Sequence, residues 1–347
     1  MMSKKLLFFV CFLILFKVSA QISVGARHVW KMKKFPKGQL DKFKKTETIF
    51  ILSNIIDTAS YQKLLKDSWS VTPYKLVNRE DFDLLDYMDM DGNFSFANLE
   101  GLHKQKTTKS GLVVDYLYLY INFYMIDFEG FKDDVSKLKK NKRSYEGDFN
   151  MALTSNTQKI ARIEMFPKDT FIPTALSTNS EVIMDSIYNR DVFYNYKPGF
   201  LKNYFQKVNN QLVDEEEYWM YENDFLPELK KLSKTILYIP NYHIIKFNSR
   251  KMTAKEDKEG FEEVLSGYDY EYQFQDEIEM DERILSGEEF YYLRFVRVNS
   301  QKFVQIVNSK TGEIVYRDYI AGALSSYNLK KRHIKDINDL IKKALKK

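Results

Sequence analysis

Apolar and polar positions follow two rhythms along this chain, and each change of rhythm marks an element. Residues 48–54 (TIFILSN) form a short apolar run ending in a turn signal, the pattern of a buried strand, and residues 235–241 (TILYIPN) repeat it. A helical spacing follows each run, over 61–69 and over 256–265. Strands of alternating aromatic residues come next, at 74–77 and 270–274, where period two exposes one face and buries the other. Acidic helical stretches at 79–87 and 276–285 lead to Gly92 and Gly287, placed where a helix end favours glycine. Two further strands complete each set: 94–99 with 112–125, and 290–298 with 302–307.

The predicted fold class is α/β with mixed sheets, as two related β-α-β-α-β-β units joined by a partly helical connector. The β-α-β portions imply parallel neighbours, and the terminal hairpins add antiparallel ones. Shared order, the two Thr-Ile starts and the matching glycines point to an internal duplication. Residues 1–20 then form a signal peptide, 21–45 a basic N-terminal arm, 46–166 the first unit and 167–233 the connector. The second unit spans 234–320, and 321–347 hold a basic amphipathic helix. A strand is expected at 159–166. The connector's main helix starts at Pro198, with Phe200, Leu201, Tyr204, Phe205, Val208 and Leu212 on one face. Asp224 and Pro227 start a shorter helix, and 137–158 reads as a mobile loop. In the C-terminal helix Ile334, Ile337, Leu340, Ile341, Ala344 and Leu345 face away from the lysines, which predicts docking on the protein.

The amino terminus has the three parts of an export signal. Lys4 and Lys5 precede an unbroken apolar run at 6–16, and Val18-Ser19-Ala20 offers small residues for cleavage before Gln21. Lys17 stops the run well short of the roughly 20 residues that a membrane span needs. Cys11 is the only cysteine and leaves with the signal, so the mature chain has no disulfide, thiolate ligand or thiol nucleophile. The formal charge of +5 also shrinks, because three lysines leave and 50 basic residues then face 48 acidic ones. Basic residues concentrate at the two ends of the mature chain, a distribution suited to weak contact with an anionic surface. An exported protein of this balance is not expected to bind nucleic acid.

Several chemical motifs are present in fragments. Asp86, Asp89 and Asp91 before Gly92 resemble a calcium loop, but setting Gly92 at its sixth position leaves Tyr87 and Asn98 where two carboxylates belong. Lys310-Thr-Gly312 and Ser136-Lys-Leu-Lys139 match two motifs of penicillin-recognising serine enzymes. The third, Ser326-Tyr-Asn328, comes in the wrong order, and a turn accounts for Gly312. His28, His103, His243 and His333 are dispersed, so no metal is expected, and no cofactor motif appears. Asp214 to Glu217 read as a solvated helix face.

Residues 234–241, 290–298 (FYYLRFVRV) and 308–316 (NSKTGEIVY) resemble exported proteins of Bacteroidota-type bacteria. The resemblance implies an envelope address and no particular activity. The βαβ start is similar, at fold level, to the amino-terminal domain of periplasmic Tol-type proteins. The expected function is a non-enzymatic binding or assembly module of the cell envelope, with an envelope protein or polymer as partner. The alternative is a hydrolase using carboxylates or a serine without a local motif. Tyr116, Tyr118, Tyr120, Tyr291 and Tyr292 are the candidate partner-binding residues, since tyrosines offer large contact area. The first three share one face of a strand, whereas Tyr291 and Tyr292 point oppositely. N-terminal sequencing of the protein recovered from the envelope or medium should begin at Gln21 or its cyclised form, and an intact Met1 would contradict export by cleavage.

Overall fold

The computed structural model describes residues 21–28, 32–89, 93–138, 144–321 and 327–346. The first sheet is built from six strands. β1 (Ile22–Val24) and helix α1 (Gln39–Lys44) precede β2 (Glu47–Leu52). Helix α2 (Thr58–Lys66) leads to β3 (Tyr74–Asn78), and α3 (Leu84–Asp89) leads to β4 (Phe94–Thr107), which turns back as β5 (Val113–Ile126). Helices α4 (Phe128–Ser136) and α5 (Tyr145–Asn156) intervene before β6 (Thr157–Glu164). The strand order is β3-β2-β4-β5-β6-β1, with β2 parallel to β3 and β4 and the rest antiparallel. Helices α6 (Phe171–Leu176), α7 (Ser180–Asn189) and α8 (Pro198–Val213) follow.

The second sheet starts at β7 (Asp224–Phe225) and, after a 3-10 turn at Pro227–Ser233, continues with β8 (Leu237–Pro240). A small hairpin, β9 (Ile245–Asn248) and β10 (Thr253–Glu256), stands apart as its own two-stranded sheet. Then come α9 (Lys258–Leu265), β11 (Tyr272–Gln275), α10 (Glu277–Leu285), β12 (Tyr291–Val298), β13 (Gln301–Asn308), β14 (Ile314–Ile320) and α11 (Lys331–Leu345). The order is β11-β8-β12-β13-β14-β7, with β8 parallel to β11 and β12 and the remaining pairs antiparallel. Position for position this matches the first sheet. Among the described residues no helix is long and apolar enough to cross a membrane.

Several expectations change in detail. The described residues of the basic N-terminal arm, 21–28 and 32–45, do not stand free, because Ile22 and Val24 bury themselves as an edge strand on β6 and Phe43 anchors α1. The side-chain amide of Gln21 is fully buried and bonds the carbonyl of Glu164 and, at 3.0 Å, Tyr204 Oη. Residues 145–156 are helical rather than a mobile loop. Helix α5 packs Phe149 on Phe131 at 5.3 Å, but its apolar stripe is too weak to read from spacing alone. Asp224 belongs to β7, and only Pro227 opens a helical turn. Asp214 to Glu217 lie at and beyond the end of α8, with Glu215 at φ 60°, so they do not form a helix face; Asp214 to Glu216 are exposed and Glu217 is half-buried. In α11 Ile334, Ile337, Ile341 and Ala344 are buried, while Leu345 is exposed. The proposed signal peptide and Gly92 lie outside the described residues.

The connector helix α8 is covered on more than its apolar face. It packs on α2 and β1 of the first unit and on α10 of the second, much as α11 packs on α9. Its polar residues are consequently buried and bonded. Asn203 Nδ2 donates to the Ser309 carbonyl at 2.7 Å, Lys207 pairs with Glu313 at 2.8 Å, and Asn209 Oδ1 accepts from the Ser70 and Val71 amides. Such bonds offset the cost of placing polar groups between two cores.

Gly312 shows how tightly α8 is held. It sits at φ 69°, and a Cβ there would lie 2.6 Å from the Asn203 carbonyl oxygen. Gly312→Ala should therefore cost about 2 kcal/mol or more in urea unfolding. Gly147→Ala, in the open on α5, should be neutral or stabilising by about 0.5–1 kcal/mol. Equal midpoints for the two variants would refute this packing.

Candidate functional site

Two segments break the match between the units. In the first, 165–197 lie between β6 and α8, whereas the second has only 321–330 between β14 and α11. In the second, 241–257 lie between β8 and α9, whereas the first has only 53–57 between β2 and α2. Each longer segment folds back on itself. Residues 166–168 run against 192–195, with Tyr194 N–H on the Phe166 carbonyl at 2.9 Å and Phe166 N–H on Asn195 Oδ1 at 2.9 Å. The β9–β10 hairpin is pinned by Asn328, which both accepts from and donates to the Phe247 backbone at 3.0 Å.

Between these two segments lies a cavity of about 390 Å³, large enough for a small organic ligand. Phe166 and Tyr194 come from the first segment, Tyr242 and His243 from the second, and Phe261 and Phe295 from α9 and β12. The rings hold one another: Tyr242 stacks on Tyr194 at 5.4 Å and on His243 at 4.4 Å, and Phe166 meets Phe295 edge-on at 5.6 Å. A second cavity of about 210 Å³ adjoins it, with walls that include Leu117, Leu119, Met165, Ile172, Leu176 and Met252.

Arg297 of β12 lines both cavities. Its guanidinium is buried against the rings of Phe247 at 4.3 Å and of Phe166 and Tyr327 at 5.5 Å each. It pairs with the buried carboxylate of Asp169, which also accepts from Tyr194 Oη at 3.4 Å. Burial raises the Asp169 carboxyl above its ordinary range, and the guanidinium opposes that shift. At the rim, Lys246 pairs with Asp257 at 2.7 Å, and this bond holds Asp257 below the usual carboxylate range. Asp257 also caps α9 through the Gly260 amide.

His243 is neutral. Burial pulls it down to about 3, and its Nδ1–H donates to the Pro240 carbonyl at 2.9 Å. Nε2 is then an acceptor, buried and without a partner among the described residues. His28 and His333 are likewise pulled down to about 3 by burial, whereas His103 pairs with Asp115 at 2.8 Å. Among the described residues no group of three metal-ligating side chains forms.

The tyrosines singled out by sequence lie elsewhere. Tyr116, Tyr118 and Tyr120 share one face of β5, half-buried, while Leu117 and Leu119 on the opposite face line the smaller cavity. Tyr116 and Tyr118 stack at 6.2 Å, Tyr118 packs on the second unit's core, and Tyr120 lies 3.5 Å under the Arg162 guanidinium. Arg162 in turn pairs with buried Glu164 at 2.6 Å. Tyr291 and Tyr292 are 3% and 0% exposed, so neither is available to a partner. Both rings lie in packed cores, Tyr291 bonded to Glu228 and Tyr292 to Asn203. Ser136 caps its own helix turn on α4 and Lys310 sits in the β13–β14 turn, so the enzyme-like fragments belong to separate units. Ser326 and residues 90–92 of the calcium-like loop lie outside the described residues.

Sequence reasoning does not single out Asp169 or Arg297, and it weighs His243 only as a metal ligand. The available signal was the pair of arginines, Arg294 and Arg297, inside an otherwise apolar strand, because such charges persist only where something compensates them. Comparison with protein-family models, with curated proteins and with solved structures gives no match.

The buried imidazoles carry a pH signature. A histidine held near 3 when folded and near 6.5 when unfolded contributes stability that is complete above pH 6.5 and lost as pH falls from there toward 3. His243→Phe should therefore flatten the decline in unfolding free energy below pH 6.5, by up to about 1.4 kcal/mol per pH unit. Parallel curves for the variant and the parent would show that His243 exchanges protons freely in the folded state.

Proposed function

We propose that this chain is an exported, non-catalytic binding protein of the cell envelope, and that its ligand occupies the cavity between the two units. One observation carries the reading. The segments that depart from the shared strand plan, one from each unit, meet to make this cavity, and ligands favour such junctions. The chemistry of the walls agrees with binding. Aromatic rings from both segments, α9 and β12 line the space, Asp169 and Asp257 are each committed to a cation, and His243 is too weak a base to take a proton near neutral pH. The identical strand orders further support descent of the units from one duplicated ancestor, with the cavity as a later addition to both copies. Export rests on the apolar run at 6–16 and the small residues before Gln21.

A fragment screen by ligand-observed NMR tests the reading. Hits should disappear with Val264→Trp, which fills the cavity from α9, while the melting temperature stays close to that of the parent. Hits that persist in that variant would place binding elsewhere. Chemical conversion of a hit during the measurement would make the protein an enzyme.

A further inference from the structure

We propose that the cavity takes a small amphipathic carboxylate, its apolar body among the aromatic rings and its anionic group at the mouth, beside Lys330, Lys331 and the first turn of α11. This rests on the binding reading above and adds the chemistry of the ligand. The body is specified by the walls, since Phe166, Tyr194, Tyr242, Phe261 and Phe295 all line the space.

The charge is specified by a count of what remains unpaired. Four cations and three acids line the cavity: Arg297, Lys246, Lys330 and Lys331 against Asp169, Asp257 and Glu263. Asp169 is spent on Arg297 and Asp257 on Lys246. Among the described residues Lys330, Lys331 and Glu263 make no ion pair, which leaves two ammonium groups facing one carboxylate. Lys330 and Lys331 are also the N-cap and first residue of α11, so the positive end of a 15-residue helix adds to the same spot. A neighbouring group lies in the same field. Lys302, across the β12–β13 ladder from Arg297, is pulled down to about 8 by burial and then by Lys330, Arg332 and Arg297. An anion entering here would meet uncompensated positive charge, and a cation would be repelled.

Titration calorimetry with indole-3-acetate and tryptamine, one ring system with opposite charges, tests the assignment. The acid should bind at least about tenfold more tightly than the amine, with the preference weakening as salt rises. Val264→Trp should abolish binding of the acid. The double variant Lys330→Ala/Lys331→Ala, altered only at a half-buried and an exposed position, should retain ring binding and lose most of the preference. Equal affinities, a preference for the amine, or a preference unchanged in the double variant would each overturn the proposal. Failure of both probes would overturn it as well. If fragments of other chemistry still bound in a manner sensitive to Val264→Trp, the binding reading would survive that failure, and if none did, both would fall.

Discussion

Arg297 lies on β12 of the second sheet, and its ion-pair partner Asp169 comes from the segment that follows the first sheet. Both side chains are almost wholly removed from solvent. Taking two charges out of water costs several kcal/mol per ion, and only close pairing returns it. Here the rings of Phe166, Phe247 and Tyr327 pack around the guanidinium, which adds cation–π attraction to the pairing. That arrangement fixes where residues 165–197 meet β12, and with it the walls of the cavities on either side. Removal of one partner would leave an uncompensated buried charge, a loss of about 3–5 kcal/mol in comparable interiors.

Around this contact the molecule is two sheets of one plan with a helix between them. Helix α8 completes the first unit as α11 completes the second, yet it also packs against the second unit, and this double duty explains its many buried polar groups. Its Tyr204 ring covers the guanidinium of Arg294 at 4.3 Å, while the hydroxyl accepts from Asn195 and Gln21. Bonds of this kind are directional, so they select one docking of the units where apolar contact alone would allow sliding.

Much of the strand plan was legible in the sequence because period two and turn residues are local signals. The run at 48–54, the alternation at 74–77 and the two hairpins each reappear as strands, most with ends shifted by one or two residues, while β4 runs on to Thr107, well past the expected end at Leu99. What escaped depends on distant partners. Ile22–Val24 and Asp224–Phe225 are too short to show a period, and they are strands only because β6 and β14 present open edges. Tyr291 and Tyr292 are candidates in the sequence because tyrosine offers large contact area, and their opposite directions allow only one of them to join a given surface, but β12 is covered on both faces, and alternation then separates two cores instead of core from solvent. The candidate site was the least legible part. Asp169, His243 and Arg297 are far apart in the chain, and no spacing rule joins them. Their meeting follows from the way the two longer segments cross, which belongs to tertiary packing.

The cavity's composite wall has a thermodynamic consequence. Because each unit supplies part of the lining, a bound molecule contacts both at once, and its binding free energy adds to whatever already holds them together. Release of such a ligand and parting of the units would then be linked steps. On the binding reading proposed above, a ligand in this cavity would add to the cohesion between the halves by an amount that rises with how far its concentration exceeds its dissociation constant.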